Sequence, residues 1–214
     1  MTGSPMAEVL QAHRSAIGAS LALETLGVEA GRYFLVSAHR EENVDSPGRL
    51  GQLFGCLNAV ADGWGFPVLV STHPRTRKRL QAFAGPEAVD SLVKFHEPFG
   101  FLDYNRLQLG ATCVLSDSGT IAEESTMLGF PAVTLRSSIE RPEALDTGAI
   151  TMTDLEPDAV VRGIRFAMSR AQAAGGGSRG GERPGDYRIT NTSERVVNFI
   201  LSTAFQHAFW FGLR

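Results

Sequence analysis

The chain has 214 residues, of which 43% are hydrophobic, and this length and composition suit one large globular domain or one domain with short extensions. Its 20 basic and 23 acidic residues give a formal net charge of −3, so charge offers no reason to expect a nucleic-acid partner or an anionic membrane surface.

The sequence also contains no pattern typical of a membrane span or of a metal site. No apolar run reaches membrane-spanning length and the start has no signal-peptide pattern, so we expect a cytoplasmic protein. Cys56 and Cys113 lie in apolar surroundings, which predicts buried reduced thiols rather than a disulfide. No Cys/His spacing resembles a zinc site, so we expect neither a metal nor a cofactor.

Helices and strands are predicted to alternate along the chain. An amphipathic helix is predicted first, from about Ala7 to Leu26, and Gly27 ends it. Six apolar runs then predict short buried strands: Tyr33 to Ser37, Phe66 to Ser71, Leu92 to Phe95, Cys113 to Ser116, Pro131 to Leu135 and Ala149 to Met152. Further helices are predicted from Pro47 towards Asp62, from Leu102 to Leu109, from Glu156 to Ala173 and from Ser193 to Phe209. One more short helix is predicted after the fourth strand, with Gly129 as its end. This alternation predicts an α/β fold with a doubly wound, mostly parallel, Rossmann-like sheet.

Polar side chains follow four of these strands where each strand ends. They are His39, His73, Ser118 and the charged run from Arg136 to Glu143. Because ligands of open α/β sheets bind at the carboxyl ends of the strands, this convergence predicts a ligand site on one rim of the sheet. The G-x-G-x-x-G and P-loop fingerprints are both absent.

The stretch from Ser116 to Glu124 predicts a strand, a tight polar turn and a helix start. Unpaired N–H groups at a helix N-terminus suit a phosphate, and Ser118 and Gly119 stand at that turn. Glu124 can accept hydrogen bonds from a vicinal diol such as a ribose, so the stretch indicates a nucleotide site. The alternative is a plain capped helix, with Asp117 or Ser118 as N-cap and with Glu123 and Glu124 in solvent.

Two segments near the end of the chain have an unusual composition. Residues 175–190 begin with a run rich in Gly, Ser and Arg that predicts a flexible loop. The final helix ends in an apolar stretch, Phe209 to Leu213, which needs a surface to pack on.

Several motifs together resemble one known family. They are Ser37-Ala38-His39-Arg40-Glu41-Glu42-Asn43, His73-Pro74-Arg75-Thr76, Phe99-Gly100-Phe101-Leu102-Asp103-Tyr104, Ser116-Asp117-Ser118-Gly119 with Glu123-Glu124, and Glu140-Arg141-Pro142-Glu143. In this order and spacing they resemble the non-hydrolysing UDP-N-acetylglucosamine 2-epimerases.

The resemblance implies half of a two-domain enzyme of the glycosyltransferase-B type, with the active site between two Rossmann-like domains. Residues 1–30 would be a linker and helix from the interdomain region, 31–174 the UDP-binding domain, 175–190 a flexible loop, and 191–214 a helix that packs on an N-terminal domain. The family implies a homodimer when full length, and a place in cell-envelope polysaccharide synthesis.

The family reaction implies roles for residues of this chain. UDP is eliminated across C1–C2 after loss of the C2 proton, and it re-adds after reprotonation on the other face, which converts UDP-N-acetylglucosamine into UDP-N-acetylmannosamine. The implied roles are catalytic for His39, Arg136 and Arg141; phosphate binding for Ser118, Gly119 and Thr120; ribose binding for Glu124; the uracil for Tyr104; and effector or sugar-phosphate contacts for Arg40, Glu41 and His73.

Two departures and two alternatives stay open. Thr120 stands where the family usually has a second glycine, which bears on phosphate affinity, and the ending Asn191-Thr192-Ser193-Glu194-Arg195 looks closer to relatives that act on other UDP-2-acetamido sugars. A glycosyltransferase of the same architecture would share the fold and the ribose-binding Glu. A non-catalytic nucleotide-sugar binding remnant is the other alternative, and as an isolated chain we expect binding without turnover.

Overall fold

A computed structural model describes residues 2–72, 89–138, 142–173 and 184–212. Within it, six strands form one parallel sheet: β1 (Phe34–Ser37), β2 (Val68–Ser71), β3 (Val93–His96), β4 (Cys113–Ser116), β5 (Ala132–Leu135) and β6 (Thr151–Thr153). Their order across the sheet is β3-β2-β1-β4-β5-β6. This is the order of a doubly wound Rossmann sheet, so the predicted fold class is confirmed.

Both faces of the sheet are buried, which explains why the strands read as continuous apolar runs. Successive side chains of a strand point to opposite faces. Phe34 and Val36 therefore join one core cluster with Leu115, whereas Leu35 joins a second cluster with Val114. Each strand thus contributes to two apolar layers.

The described helices flank the sheet and connect its strands. They are α1 (Met6–Gly18), α2 (Ala22–Leu26), α3 (Glu41–Val44), α4 (Pro47–Trp64), α5 (Phe101–Gly110), α6 (Ile121–Leu128), α7 (Glu143–Asp146), α8 (Pro157–Ala173), α9 (Thr192–Thr203) and α10 (His207–Trp210). Among the described residues, no helix is both long enough and apolar enough to cross a bilayer.

Two predicted helix boundaries are confirmed by the local chemistry. Ser46 caps α4, where its side chain accepts a hydrogen bond from the N–H of Arg49 and Pro47 takes the first helical position. Gly129 ends α6 in the left-handed conformation, with φ of 82°.

The first predicted helix, Ala7 to Leu26, is wrong as one element. The chain breaks between Gly18 and Ala22 into α1 and α2. Ser20 causes the break, because its hydroxyl accepts from the Ala22 N–H at 3.2 Å and donates to Asp103 at 2.6 Å. A side chain that bonds its own backbone competes with a helix interior.

Of the predicted flexible loop over residues 175–190, the structure describes residues 184–190. Residues Gly185–Arg188 form a 3₁₀ turn in which Tyr187 is buried in the second core cluster. The Tyr187 hydroxyl donates to the Glu143 carboxylate at 2.9 Å. One buried aromatic ring and its hydrogen bond therefore attach this segment to the core.

The C-terminal segment is attached at its start and exposed beyond it. The Thr192 hydroxyl donates to the carbonyl of Ser4 at 3.1 Å, and the Ser193 N–H donates to Glu8 at 3.1 Å. Along α9 and α10, large apolar side chains then face solvent: Val197, Phe199, Ile200, Leu201, Phe205, Phe209, Trp210 and Phe211. Such a contiguous apolar surface is typical of an interface.

Both cysteines are free and buried, as predicted. Burial raises the pKa of Cys56 and of Cys113 to about 12. Each thiol therefore stays protonated at neutral pH and is a poor nucleophile.

Gly110, the last residue of α5, allows a close approach between two buried groups. A Cβ at this position would lie 2.7 Å from the Tyr33 hydroxyl and 3.2 Å from Leu23 Cδ2. The Tyr33 ring is fully buried, and its hydroxyl donates to the Leu107 carbonyl at 2.5 Å. The Tyr33 side chain therefore cannot move away from an added Cβ without losing packing or this hydrogen bond.

We therefore expect Gly110→Ala to lower the free energy of unfolding by about 1–3 kcal/mol through overpacking. Gly18→Ala is the matched control, because Gly18 is the last residue of α1 and a Cβ there meets nothing within 4 Å. The control should change the stability by less than about 0.5 kcal/mol in urea unfolding. Equal stability of the two variants would contradict the role given to Tyr33.

Candidate active site

The carboxyl ends of β1 and β4 lie side by side in the middle of the sheet. Ser37 and Ser116, the last residues of these strands, are partners in the parallel register. The chain crosses from β1 to β2 on one side and from β4 to β5 on the other, so the connections diverge here and open a crevice. This switch point is where open α/β sheets bind ligands.

Asp117 joins the two loops that border this crevice. Its fully buried carboxylate accepts the backbone N–H of His39 at 3.0 Å and that of Arg40 at 2.9 Å. It also accepts from Asn43 Nδ2 at 3.0 Å. The sequence alternative that Asp117 is the N-cap of the following helix is therefore wrong, because its side chain bonds the β1 loop and not the start of α6.

Asn43 extends this network to the other strand ends. Its Nδ2 also donates to the Leu135 carbonyl at the end of β5, at 3.1 Å, and its Oδ1 accepts from Arg49 at 3.0 Å. Arg49 reaches on to Asp154, directly after β6, at 2.7 Å. The Arg49 hydrogen bond holds the pKa of Asp154 below its ordinary value.

The turn before α6 contains one hydrogen bond of ordinary length, from the Ser118 N–H to Ser116 Oγ at 3.0 Å, and two long ones. The Thr120 N–H donates to Ser118 Oγ at 3.3 Å, and the Ile121 N–H donates to the Ser118 carbonyl at 3.5 Å. Both distances exceed the usual N–H···O value of about 2.9 Å. The Ser118 and Thr120 hydroxyls lie 3.0 Å apart. N–H groups, two hydroxyls and the positive end of a helix dipole thus suit an anion such as a phosphate.

Glu124 lies one helical turn beyond this start, and its N–H donates to the Thr120 carbonyl at 2.9 Å. Its half-buried carboxylate accepts from Gln108 Nε2 on α5 at 2.6 Å. It is therefore not a solvated helix residue, as the alternative had it, but a carboxylate held in place at the site.

Tyr104 stands on α5 beside the same carboxylate. Burial, together with the Glu124 charge, raises the pKa of the Tyr104 hydroxyl, with the Ser37 side chain also near it. Its ring packs against the second core cluster. The place of Tyr104 at a uracil stays a prediction.

The other predicted site residues divide into three groups. His39 and Arg40 lie at the crevice, where the His39 ring is 3.5 Å from Asp117 and its side chain is 46% exposed. Glu41 is exposed at the start of α3, and the Arg136 side chain is buried after β5. His73 and Arg141 lie outside the described residues.

Sequence reasoning did not assign a role to Asn43, Arg49, Gln108 or Asp154. Their contacts join residues far apart along the chain, by 16 positions for Gln108 with Glu124 and by 105 for Arg49 with Asp154. The available signal was Asp117 itself, since a carboxylate directly after a buried strand needs several donors.

Comparison with known proteins gives one consistent result. A family model described as UDP-N-acetylglucosamine 2-epimerase matches residues 1–201. A relative of that name from Methanocaldococcus jannaschii is 32% identical over 140 residues, which is 64% of this chain and 38% of the relative. A relative from Pseudomonas aeruginosa named UDP-2,3-diacetamido-2,3-dideoxy-D-glucuronate 2-epimerase is 30% identical over 150 residues, or 68% and 41% of the two chains. The chain thus spans less than half the length of these relatives.

Solved structures agree in fold. The structure of UDP-N-acetylglucosamine 2-epimerase from Rickettsia bellii matches with a TM-score of 0.82 at 30% identity, over 98% of this chain and 55% of that one. The Methanocaldococcus jannaschii UDP-GlcNAc 2-epimerase, solved in complex with UDP-GlcNAc and UDP, matches with a TM-score of 0.81 at 24% identity, over 94% and 54%. At that identity the second likeness shows the fold alone.

Asp117→Ala should lower the free energy of unfolding by about 3 kcal/mol, because the N–H groups of His39 and Arg40 and the Asn43 amide lose a charged acceptor. Asp117→Asn should cost less, since one acceptor oxygen remains. Asp62→Asn on the exposed face of α4 is the control and should be nearly neutral. Urea unfolding of the three variants checks the order, and an Asp117→Ala variant as stable as the control would contradict the assigned network.

Proposed function

The chain belongs to the UDP-N-acetylglucosamine 2-epimerase family, and we propose that it forms the uridine-nucleotide-binding half of an active site that interconverts UDP-N-acetylglucosamine and UDP-N-acetylmannosamine. The observation that carries this proposal is the Glu124 carboxylate, which Gln108 holds one helical turn beyond a helix start at the switch point of the sheet.

The proposed nucleotide contacts follow the chemistry along α6. The β-phosphate and α-phosphate bind at the Ser118, Gly119 and Thr120 turn, where N–H groups and hydroxyls converge. Glu124 accepts hydrogen bonds from the ribose hydroxyls, and Tyr104 lies at the uracil. The UDP bound in the Methanocaldococcus jannaschii relative is consistent with this ligand class.

In the proposed reaction, positively charged side chains near the phosphates matter more than a nucleophile. Loss of the C2 proton and cleavage of the bond from C1 to the phosphate oxygen produce 2-acetamidoglucal and UDP, whose phosphate gains the charge. Arg136, buried beside the network, Arg141 and His39 are proposed to stabilise that charge. Arg40, Glu41 and His73 are proposed to contact the sugar-phosphate or an effector.

The base that removes the C2 proton is proposed to lie on a second domain. Two observations support a second domain. The chain covers 38% and 41% of the relatives from Methanocaldococcus jannaschii and Pseudomonas aeruginosa. The apolar side chains of α9 and α10 face solvent, as expected for a helix that packs on another unit. We infer that residues 191–214 pack on that domain, that residues 1–30 lead from it, and that the full-length protein is a homodimer.

The sugar has a second candidate. The Pseudomonas aeruginosa relative, named for UDP-2,3-diacetamido-2,3-dideoxy-D-glucuronate, matches more of this chain than the Methanocaldococcus jannaschii relative does. Such a substrate would share the uridine diphosphate contacts and differ only at the sugar. Either substrate suits a cytoplasmic enzyme that supplies precursors of a cell-envelope polysaccharide.

Removal of the ribose acceptor tests the nucleotide site. Glu124→Ala should weaken UDP binding by about 1–3 kcal/mol, roughly 5-fold to 150-fold in Kd, because the diol loses a charged acceptor. Glu24→Ala, at an exposed position of α2, is the control and should bind like the unchanged chain. Calorimetric titration measures both, and equal affinities for the two variants would remove Glu124 from the site.

The chain by itself should bind UDP without turnover, because the proposed base lies on the other domain. Proton NMR of UDP-N-acetylglucosamine in D₂O with this chain should show neither UDP-N-acetylmannosamine nor deuterium at C2. The full-length Methanocaldococcus jannaschii enzyme is the positive control. Epimerisation or C2 exchange by this chain alone would contradict the division of labour between two domains.

A further inference from the structure

Gln108 is buried on α5 and forms a short hydrogen bond to the carboxylate at the candidate site. It is 0% exposed, and its Nε2 donates to Glu124 Oε2 at 2.6 Å. A carboxylate only accepts hydrogen bonds, so this contact also determines which end of the Gln108 amide faces it. The amide nitrogen faces Glu124, and the amide oxygen faces away.

The Gln108 backbone is held rigidly on both sides. The neighbouring Leu107 is fully buried, and its carbonyl accepts the Tyr33 hydroxyl at 2.5 Å. The α5 helix packs on α1 and α2. The position of Gln108 is therefore restricted by packing, whereas Glu124 is half-buried.

The Gln108 amide also hydrogen-bonds the Tyr104 side chain, but one of its atoms has no partner. Within the described part of the chain, the Gln108 Oε1 atom is buried and has no hydrogen-bond partner. An unpartnered buried acceptor is unfavourable for stability. An apolar side chain of the same length would avoid that cost, but it would leave the Glu124 carboxylate without this donor.

We propose that Gln108 is a positioning residue that holds the Glu124 carboxylate in the rotamer that receives the vicinal diol of the nucleotide ribose. The inference rests on the proposed function, in which Glu124 binds the ribose. With Oε2 engaged by Gln108, the other carboxylate oxygen is directed to the ligand, and the side chain loses less rotamer freedom when the diol binds.

The test compares UDP with 2′,3′-dideoxy-UDP, which keeps the base and phosphates but lacks both hydroxyls. The Kd of 2′,3′-dideoxy-UDP divided by the Kd of UDP reports the ribose contact alone. Gln108→Met removes the donor and the unpartnered oxygen while it keeps the length of the side chain. It should lower that ratio about threefold to tenfold and leave the midpoint of urea unfolding unchanged or higher.

Two further variants separate positioning from structure. Gln108→Glu keeps the shape but replaces the donor with an acceptor, so it should also lower the ratio. Asn105→Leu is the matched control, since Asn105 is a buried amide one turn earlier on α5 whose Nδ2 donates to the Phe101 carbonyl at 2.8 Å. The control should keep the ratio of the unchanged chain.

The outcomes are distinct. A ratio lowered in both Gln108 variants and kept in Asn105→Leu supports the proposal. An unchanged ratio in Gln108→Met overturns it, as does a ratio near one in the unchanged chain when UDP itself binds; in both cases the nucleotide site stands. No UDP binding by the folded, unchanged chain overturns the proposed function together with this inference.

Discussion

A buried carboxylate must be surrounded by donors, and in this protein that requirement joins the two halves of the sheet. Asp117 has no exposure to solvent and takes its donors from the loop after β1, not from its own helix. Through Asn43 the same network reaches the ends of β5 and β6. The network therefore fixes the loop after β1 against the ends of β4, β5 and β6.

The rims have different chemical characters, and this difference makes the nucleotide proposal specific. The α6 side supplies N–H groups, hydroxyls and a carboxylate within about one helical turn, in the order that a phosphate followed by a ribose requires. The other side supplies His39 and Arg40, whose backbone N–H groups donate to Asp117, and the His39 side chain is 46% exposed.

Local patterns in the sequence predicted the elements, whereas contacts between distant residues decided the site. Cys113 to Ser116 was predicted to the residue, because a parallel strand buried on both faces is a continuous apolar run. Ser20 broke the first helix through a contact with Asp103, and Tyr187 ordered a segment of loop-like composition through Glu143. Likewise, Glu124 was proposed as a site residue from its place after the turn, but its partner Gln108 was not, since no periodicity reports a contact between two helices.

The pairing of β1 with β4 also has a consequence for how the protein acquires its structure. The Asp117 carboxylate and the His39 N–H that it accepts are 78 positions apart, with β2 and β3 among the described residues in between. Closing so long a stretch carries an entropic cost before any contact across it is made. A nascent chain thus has no crevice until β4 and its turn have been synthesised, and the candidate site forms with the centre of the sheet rather than before it.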